Sequence, residues 1–290
     1  MGLQARVWGA RGSIPTPGEG TVRYGGNTPC VELRRTDGAG GTVILDAGTG
    51  IRALGQRLTR DAAGEGGTID LLLSHTHWDH IQGLPFFAPL FGRGNAVRIW
   101  GARQEQVTLE SVLRDQMKPV VFPVPLDELS AELSVQHVEP GAFTIDGFEV
   151  QAMQVRHPGN TLGYVLRPSG GKATLGFVTD NELSGGEYPV APDWRRRFVE
   201  FLHGLDALVH DAMFAPNELA RFAGWGHSST REAVEVGLEA EVSTLVLFHH
   251  RPEHDDGMID ALLDQAREAV VECGGTMQVL AAHEGMELNL

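Results

Sequence analysis

Three histidines and one aspartate stand within six residues, in the segment His75-Thr76-His77-Trp78-Asp79-His80. The mostly apolar run before it, Ile69–Leu73, is typical of a buried strand, so the segment begins where a strand ends. Imidazole nitrogen and carboxylate oxygen are the ligands other than sulfur that zinc prefers. Because four such side chains on one short loop cannot all reach a single ion comfortably, the spacing predicts two adjacent divalent ions.

Two adjacent ions need further ligands, and suitable residues follow later predicted strands: His157, Asp180 and His249. Loops at the ends of neighbouring strands can converge on one site, so these three residues are the candidates that complete it. His250 directly follows His249. The sequence leaves open which of these two histidines is the ligand, with a preference for His249.

Composition and charge limit the class of partner. The chain has 23 Lys and Arg against 38 Asp and Glu, a formal net charge of −15, which argues against a long nucleic acid because polymer binding needs a basic surface. A small anionic substrate remains compatible, since two divalent ions reverse the local potential. The two cysteines, Cys30 and Cys273, predict reduced thiols. No run resembles a signal peptide or a membrane span, so we expect a cytoplasmic protein without a membrane partner.

Strand and helix patterns alternate along the chain. Short runs rich in apolar and β-branched residues predict ten strands: Gln4–Trp8, Thr42–Asp46, Thr68–Ser74, Val97–Trp100, Phe148–Val155, Leu162–Leu166, Thr174–Thr179, Ala207–His210, Thr244–Phe248 and Met277–Leu280. Amphipathic patterns predict four helices: Gly50–Arg60, Glu105–Met117, Ser228–Ala240 and Met258–Cys273. This order favours a layered α/β or α+β fold. No linker interrupts it, so residues 1–290 are predicted to form a single domain.

His227 is the most informative residue outside the proposed ligands. It lies just before Ser229-x-x-Glu232, a capping-box pattern that marks the start of a helix. Backbone N–H groups and the helix dipole favour an anion there, so a histidine at this place could meet a phosphate and donate a proton to a departing alkoxide. The alternative is a helix-cap histidine without a chemical role.

These segments together resemble the metallo-β-lactamase superfamily and, within it, the ribonuclease-Z-like and cyclic-phosphodiesterase branch. The residues that carry the resemblance are Gly9-Ala10-Arg11-Gly12-Ser13, Asp46-Ala47-Gly48-Thr49-Gly50, His75–His80, His157 with Gly163-Tyr164, Thr179-Asp180, His210-Asp211-Ala212, Gly226-His227-Ser228-Ser229 and His249. The resemblance implies an α+β fold, a four-layer αββα sandwich with the metal site at one edge of its two sheets.

The family pattern also implies a role for each site residue. One ion would be held by His75, His77 and His157, a second by Asp79, His80 and His249, and Asp180 would bridge the two. Zinc suits this donor set, and Mn²⁺ and Fe²⁺ are alternatives. Asp46 would support the ligand loop, and Asp211 would support His227.

These roles predict a metal-dependent hydrolase that cleaves a small phosphodiester, such as a cyclic nucleotide. A hydroxide that bridges the ions would attack phosphorus, Asp79 would orient it, and His227 would act as general acid. Many bacterial ribonuclease Z enzymes hold tRNA with a long Gly/Pro-rich arm between the positions that match His157 and Asp180. Only 22 residues (158–179) lie there in this chain, so the arm is missing and a small substrate is expected.

Two other functions remain open. A thioester or lactone hydrolase of the same fold uses a similar metal set but has no need of His227, and a non-catalytic metal-binding or sensing protein would retain the fold alone. The apolar segment Met117–Pro125 could wall a pocket, form a homodimer contact or pack in the core. The sequence assigns no role to five further histidines: His137, His203, His210, His254 and His283.

Overall fold

The computed structural model describes residues 2–62, 66–104 and 106–290. Its strands are β1 (Leu3–Gly9), β2 (Cys30–Arg35), β3 (Thr42–Leu45), β4 (Thr68–Leu72), β5 (Ala96–Gly101), β6 (Glu132–His137), β7 (Gly141–Ile145), β8 (Phe148–Gln154), β9 (Leu162–Pro168), β10 (Leu175–Val178), β11 (Ala207–Asp211), β12 (Thr244–Phe248), β13 (Gln278–Ala281) and β14 (Glu287–Asn289). Its α-helices are α1 (Ile51–Asp61), α2 (Trp78–Ile81), α3 (Leu109–Gln116), α4 (Trp194–Leu202), α5 (Thr230–Glu239) and α6 (Asp256–Glu272).

The strands form two seven-stranded sheets of similar construction. The first has the order β14-β1-β2-β3-β4-β5-β6 and the second β13-β12-β11-β10-β9-β8-β7. In each sheet an antiparallel part, β1 to β3 or β7 to β10, continues into parallel pairs. Parallel neighbours need crossover connections, and helices α1, α3, α4, α5 and α6 lie in those connections. The carboxyl ends of the parallel strands therefore share one edge in each sheet.

The apolar pattern of the strands stacks the two sheets face to face. Along β1 the residues Leu3, Ala5 and Val7 are buried and alternate with partly exposed polar ones, so one face points inward. One core cluster joins such residues from both sheets, including Val31 and Phe148. Two other clusters pack α1 and α3 on the first sheet and α4, α5 and α6 on the second. This arrangement confirms the predicted four-layer sandwich.

The ten predicted strands are all present, with ends within two residues of the prediction. The predicted helix Glu105–Met117 is shorter, and residue 105 lies outside the described residues. The helix begins at Leu109 because the Thr108 hydroxyl accepts a hydrogen bond from Ser111 N at 3.1 Å and caps it. The sequence patterns missed β2, β6, β7, β14, α2 and α4. No helix in the described ranges is both long and apolar enough to cross a membrane.

Candidate metal centre

The candidate site lies at the sheet edge where the carboxyl ends of the parallel strands meet. The loop after β4 carries the segment His75–His80, and the second sheet supplies His157 after β8, Asp180 after β10 and His249 after β12. Ligand sites in α/β sheets commonly lie outside the carboxyl ends of strands, where neighbouring loops converge. All seven predicted ligands meet there in two groups that share Asp180.

The first group consists of His75, His77, His157 and Asp180, whose candidate ligand atoms lie within 4.8 Å of one another. His157 Nε2 is 3.0 Å from His77 Nδ1. Oδ2 of Asp180 is 3.6 Å from His157 Nε2 and 3.7 Å from His75 Nε2. Three imidazoles and one carboxylate oxygen therefore face a common point.

The second group consists of Asp79, His80, Asp180 and His249. His80 Nε2 lies 3.1 Å from Asp79 Oδ2 and 3.2 Å from Asp180 Oδ1. His249 Nε2 lies 3.2 Å from the same two oxygens. Asp180 thus turns one carboxylate oxygen toward each group, which is the geometry of a bridging ligand.

The donor atoms of this cluster fit divalent cations. Nε2 of His75 and Nε2 of His80 are buried and have no hydrogen-bond partner among the described residues. A buried polar atom without a partner is costly, and one cation in each group would satisfy the nitrogen of that group. Burial lowers the pKa of His157 to about 4 and that of His75 well below its ordinary value, so both imidazoles are neutral, as a metal ligand must be. Burial raises the pKa of Asp180, but His249 and His80 outweigh it and hold this carboxyl ionised. Burial lowers the pKa of His80, but the carboxylates of Asp79, Asp180 and Asp46 outweigh it and raise that pKa, so a cation bound at Nε2 would displace a proton there.

Asp46 supports the ligand loop from beneath. Its carboxylate accepts hydrogen bonds from Ser74 N at 2.7 Å and from the Ser74 hydroxyl at 2.8 Å, and it lies 2.7 Å from His80 Nδ1. A proton held on Nδ1 of His80 leaves Nε2 free to face the site. On the other side, Ser13 N donates to Asp79 Oδ2 at 2.8 Å, so the glycine-rich loop after β1 also borders the cluster.

The backbone of these loops is strained. Five non-glycine residues in the described ranges have a positive φ, and four of them border the cluster: Ser13 (63°), Asp46 (60°), Asp180 (48°) and His249 (60°). Such left-handed conformations are unfavourable for residues with a Cβ and concentrate at functional sites, where neighbouring contacts enforce them. The left-handed backbone at these four residues ends the alternating side-chain pattern of an extended strand.

His227 and Asp211 form a hydrogen-bonded pair beside the cluster. His227 Nδ1 lies 2.8 Å from Asp211 Oδ2, and the ring centroid of His227 is 5.0 Å from that of His249 and 5.2 Å from that of His157. Asp211 also accepts hydrogen bonds from Met213 N at 2.9 Å and from Asn181 N, so its carboxylate is held in place. Burial lowers the pKa of His227, but the Asp211 carboxylate outweighs it and the pKa is raised to about 9. His227 is therefore protonated at neutral pH.

The start of α5 is already occupied by a carboxylate of this chain. The Ser229 hydroxyl accepts from Glu232 N at 3.3 Å, while Glu232 Oε2 accepts from Ser229 N at 2.9 Å, which completes the capping box. The expected anion at this helix start is thus the Glu232 side chain. The protonation and orientation of His227 depend on Asp211 instead of on the helix dipole.

Glu182 is a buried residue at the site that the sequence did not indicate. Its carboxylate accepts hydrogen bonds from the backbone N–H groups of Gly186 at 2.6 Å, Gly224 at 2.9 Å and Gly226 at 2.8 Å, and from the Tyr188 hydroxyl at 2.6 Å. Gly224 and Gly226 lie 42 and 44 residues further along the chain, so no local pattern reveals the contact.

Through Gly226, Glu182 reaches two site histidines. The carbonyl oxygen of Gly226 lies 2.9 Å from His157 Nδ1, and the next residue is His227. A Cβ on residue 226 would lie 2.1 Å from His157 Nδ1, and its φ is +89°, so only glycine fits there. Glu182 thus positions the backbone that orients both imidazoles.

Replacing Glu182 with glutamine is expected to lower kcat/KM about ten-fold, because the amide group would place N–H donors against backbone N–H groups. The measurement is hydrolysis of bis(p-nitrophenyl) phosphate together with metal content. Glu187→Gln, at an exposed position of the same loop, is the matched control and should leave both unchanged. Equal activity of the two variants would show that Glu182 has no positioning role.

The remaining histidines of the chain lie outside the two ligand groups. His250 turns away from the cluster, and its Nε2 lies 2.9 Å from the carbonyl oxygen of Ala282, so the structure places His249 and not His250 at the site. His210 Nδ1 lies 2.7 Å from Asp211 O, and His254 Nε2 is 3.0 Å from Glu218. His137 and His203 are exposed, and His283 Nδ1 lies 3.1 Å from Glu284 O.

Comparisons with known proteins agree with this architecture. The model of the β-lactamase superfamily domain matches residues 42–250, more than two thirds of the chain. A ribonuclease Z of Haloarcula marismortui is 26% identical over 99% of this chain and 96% of its own length. The metallo-β-lactamase fold protein YhfI from Bacillus subtilis superposes with a TM-score of 0.70 at 18% identity and covers 100% of this chain and 99% of its own. A diphosphatase of the PhnP family gives 0.67 at 19% identity, with 100% and 98% covered.

The family model, the full-length relatives and the shared fold point to one conclusion. The four-layer sandwich and the paired His/Asp clusters at its edge are the features on which the sequence resemblance rested. The chain belongs to the metallo-β-lactamase superfamily, in its ribonuclease-Z-like branch.

Proposed function

We propose that this metal-dependent hydrolase binds two zinc ions and cleaves small phosphodiesters, such as cyclic nucleotides. The observation that carries the proposal is the His227–Asp211 pair, which lies against two His/Asp groups that share one carboxylate. A protonated imidazole beside a metal centre suits a reaction in which an alkoxide leaves and must be protonated. Thioester hydrolysis has no comparable need, because a thiolate leaves readily without a proton. A lactone also releases an alkoxide, so the substrate panel below includes one.

The residues of the two groups would hold the ions. In this assignment His75, His77 and His157 bind one ion, Asp79, His80 and His249 bind the other, and Asp180 binds both. When bound, two divalent ions would offset charge on the phosphate and lower the pKa of a shared water toward about 7.

The chain's own groups account for the proton transfer. Because Nδ1 of His227 is held by Asp211, Nε2 is the atom that donates a proton to the leaving oxygen. Asp211 keeps the ring in this orientation and stabilises its charged form before the transfer. Asp79, whose carboxylate accepts a hydrogen bond from Ser13 N, would orient the attacking water.

The short connection between His157 and Asp180 supports a small substrate. It contains β9 (Leu162–Pro168), β10 (Leu175–Val178) and the turn between them, which leaves no residues for a projecting arm. Several relatives are named ribonuclease Z, which agrees poorly with the expectation that this protein binds no long nucleic acid. The substrate panel below therefore includes an RNA.

A metal analysis combined with a substrate panel tests the proposal. The panel contains 2′,3′- and 3′,5′-cyclic nucleotides, bis(p-nitrophenyl) phosphate, a short RNA, a thioester and a lactone. We expect about two zinc ions per chain and the highest kcat/KM for a cyclic nucleotide. A higher kcat/KM for RNA would overturn the small-substrate assignment. Hydrolysis of the thioester or lactone alone, or bound metal without any hydrolysis, would favour one of the other two functions.

Removal of metal is expected to destabilise the protein. Ligands that bind only the folded state stabilise it by about 4 kcal/mol at a thousand-fold excess over Kd. A chelator should therefore lower Tm by at least about 5 °C for a chain of this size, and added zinc should restore it. Scanning calorimetry with metal content measured in parallel provides the readout. An unchanged Tm after proven loss of metal would contradict ion binding at this buried cluster.

A further inference from the structure

Two tryptophans that neighbour site residues in the chain are unusually exposed. Trp78 is 71% exposed and Trp225 is 62% exposed, whereas the other three tryptophans of the chain are buried or only partly exposed. Indole is a large apolar group, and exposed aromatic groups beside a polar cleft are typical of binding sites. Each of the two tryptophans is next in sequence to a residue that contacts His157.

Both indoles branch from backbone that borders His157. Trp78 directly follows His77, whose Nδ1 is 3.0 Å from His157 Nε2. Trp225 directly precedes Gly226, whose carbonyl oxygen is 2.9 Å from His157 Nδ1. The two exposed indoles therefore belong to chain segments that meet at His157, and His227, the proposed proton donor, directly follows Gly226.

Trp225 is exposed but its backbone is held firmly. The residues on either side of it, Gly224 and Gly226, both donate their N–H groups to the buried Glu182 carboxylate. The indole also contacts Phe222 edge to face at a centroid distance of 5.2 Å. Phe222 stacks on Phe214 at 4.7 Å, and Phe214 contacts the ring of His227 at 5.9 Å. A continuous row of rings thus leads from His227 to the exposed indole.

We propose that Trp78 and Trp225 bind a flat ring system on the phosphodiester substrate, namely a nucleobase, by stacking. This inference rests on the proposed function and names the substrate class within it. Base stacking on aromatic side chains tolerates different bases because every base has a π-face. The formal charge of −15 disfavours a long polyanion, so the stacked base belongs to a mononucleotide diester.

Kinetics on substrates with and without a base test the inference. Trp225→Ala and Trp78→Ala are each expected to raise KM for adenosine 3′,5′-cyclic phosphate about ten-fold with little change in kcat. KM for glycerol 1,2-cyclic phosphate, which has no aromatic ring to stack, should not change. Trp225→Phe should retain most of the affinity, since a smaller aromatic face remains. Val271→Ala, at an exposed apolar position on α6, is the control.

Equal changes with both substrates would overturn the inference, because the indoles would then position catalytic groups and not a base. Unchanged KM in both variants would also overturn it. A wild-type dimer that becomes monomeric in Trp78→Ala would assign this surface to a protein contact instead.

A binding measurement separates this inference from the proposed function. Adenosine 5′-monophosphate is titrated into the zinc-loaded protein while tryptophan fluorescence is recorded, with inorganic phosphate as the reference. If the wild type hydrolyses neither cyclic phosphate, the proposed function fails, but quenching that is lost in Trp225→Ala still supports a base site. Absence of quenching in the wild type refutes the base site whether or not hydrolysis occurs.

Discussion

Replacing Asp180 with alanine is expected to abolish hydrolysis and to release both metal ions. Its carboxylate is the only side chain that the two His/Asp groups have in common, with Oδ1 facing one group and Oδ2 the other. The remaining donors would leave two imidazole-rich sites without the negative charge that joins them. Because the ions supply several kcal/mol of transition-state stabilisation, we expect kcat/KM to fall by at least about 10³-fold.

Metal content determined beside kcat/KM distinguishes this effect from a general loss of structure. Asp180→Asn keeps the shape of the side chain and removes its charge, so it should retain the fold and still lose metal. His77→Ala, which touches one group alone, should lose the ion of the first group and retain more metal than Asp180→Ala. Two ions bound in Asp180→Ala would refute the bridging assignment.

Replacing His227 with alanine is expected to leave metal content unchanged and to remove most activity on natural diesters. A positioned general acid contributes about 10²- to 10⁴-fold, and its loss matters most when the leaving group is a poor one. An alkoxide, as in a cyclic nucleotide, needs the proton, whereas p-nitrophenolate leaves without it. The loss of kcat should therefore be far larger with the cyclic nucleotide than with bis(p-nitrophenyl) phosphate.

Asp211→Asn provides the matched variant for this prediction. It removes the charge that raises the pKa of His227, so it should show the same dependence on the leaving group at a smaller amplitude. A loss of equal size with both leaving groups would show that His227 binds the phosphate without donating a proton. Unchanged turnover of the cyclic nucleotide by His227→Ala would show that the general acid is another group.

Much of the fold was predictable because buried strands carry mostly apolar runs. The runs at β4 and β12 are buried along nearly their whole length, and sequence patterns identify them directly. The strand β2 was missed because Glu32 and two arginines interrupt its pattern, although Glu32 is buried in an ion pair with Arg34. The edge strands β6 and β7 are mostly exposed, and β14 has three residues, so each depends on pairing with a neighbour.

The site was predictable where ligand types and strand ends coincide. The composition of the segment His75–His80 predicts a metal centre. The other ligands, His157, Asp180 and His249, were found because they follow the ends of predicted strands. The sequence preferred His249 over His250 without deciding between them, and the positive φ of His249 is a feature that no local pattern reveals. Glu182 escaped prediction because its partners approach only in the folded chain.

Each metal group draws its donors from both sheets of the sandwich. The loop after β4 in the first sheet contributes four side chains, and the loops after β8, β10 and β12 in the second contribute the other three. Bound ions would thus link the two sheets, which otherwise pack against each other through apolar side chains. Opening one half against the other would forfeit both ions at once, so metal binding and the cooperativity of unfolding are coupled at this edge. Amide exchange at the carboxyl ends of these strands should then slow on metal loading, while the opposite edge of the sheets keeps its rate.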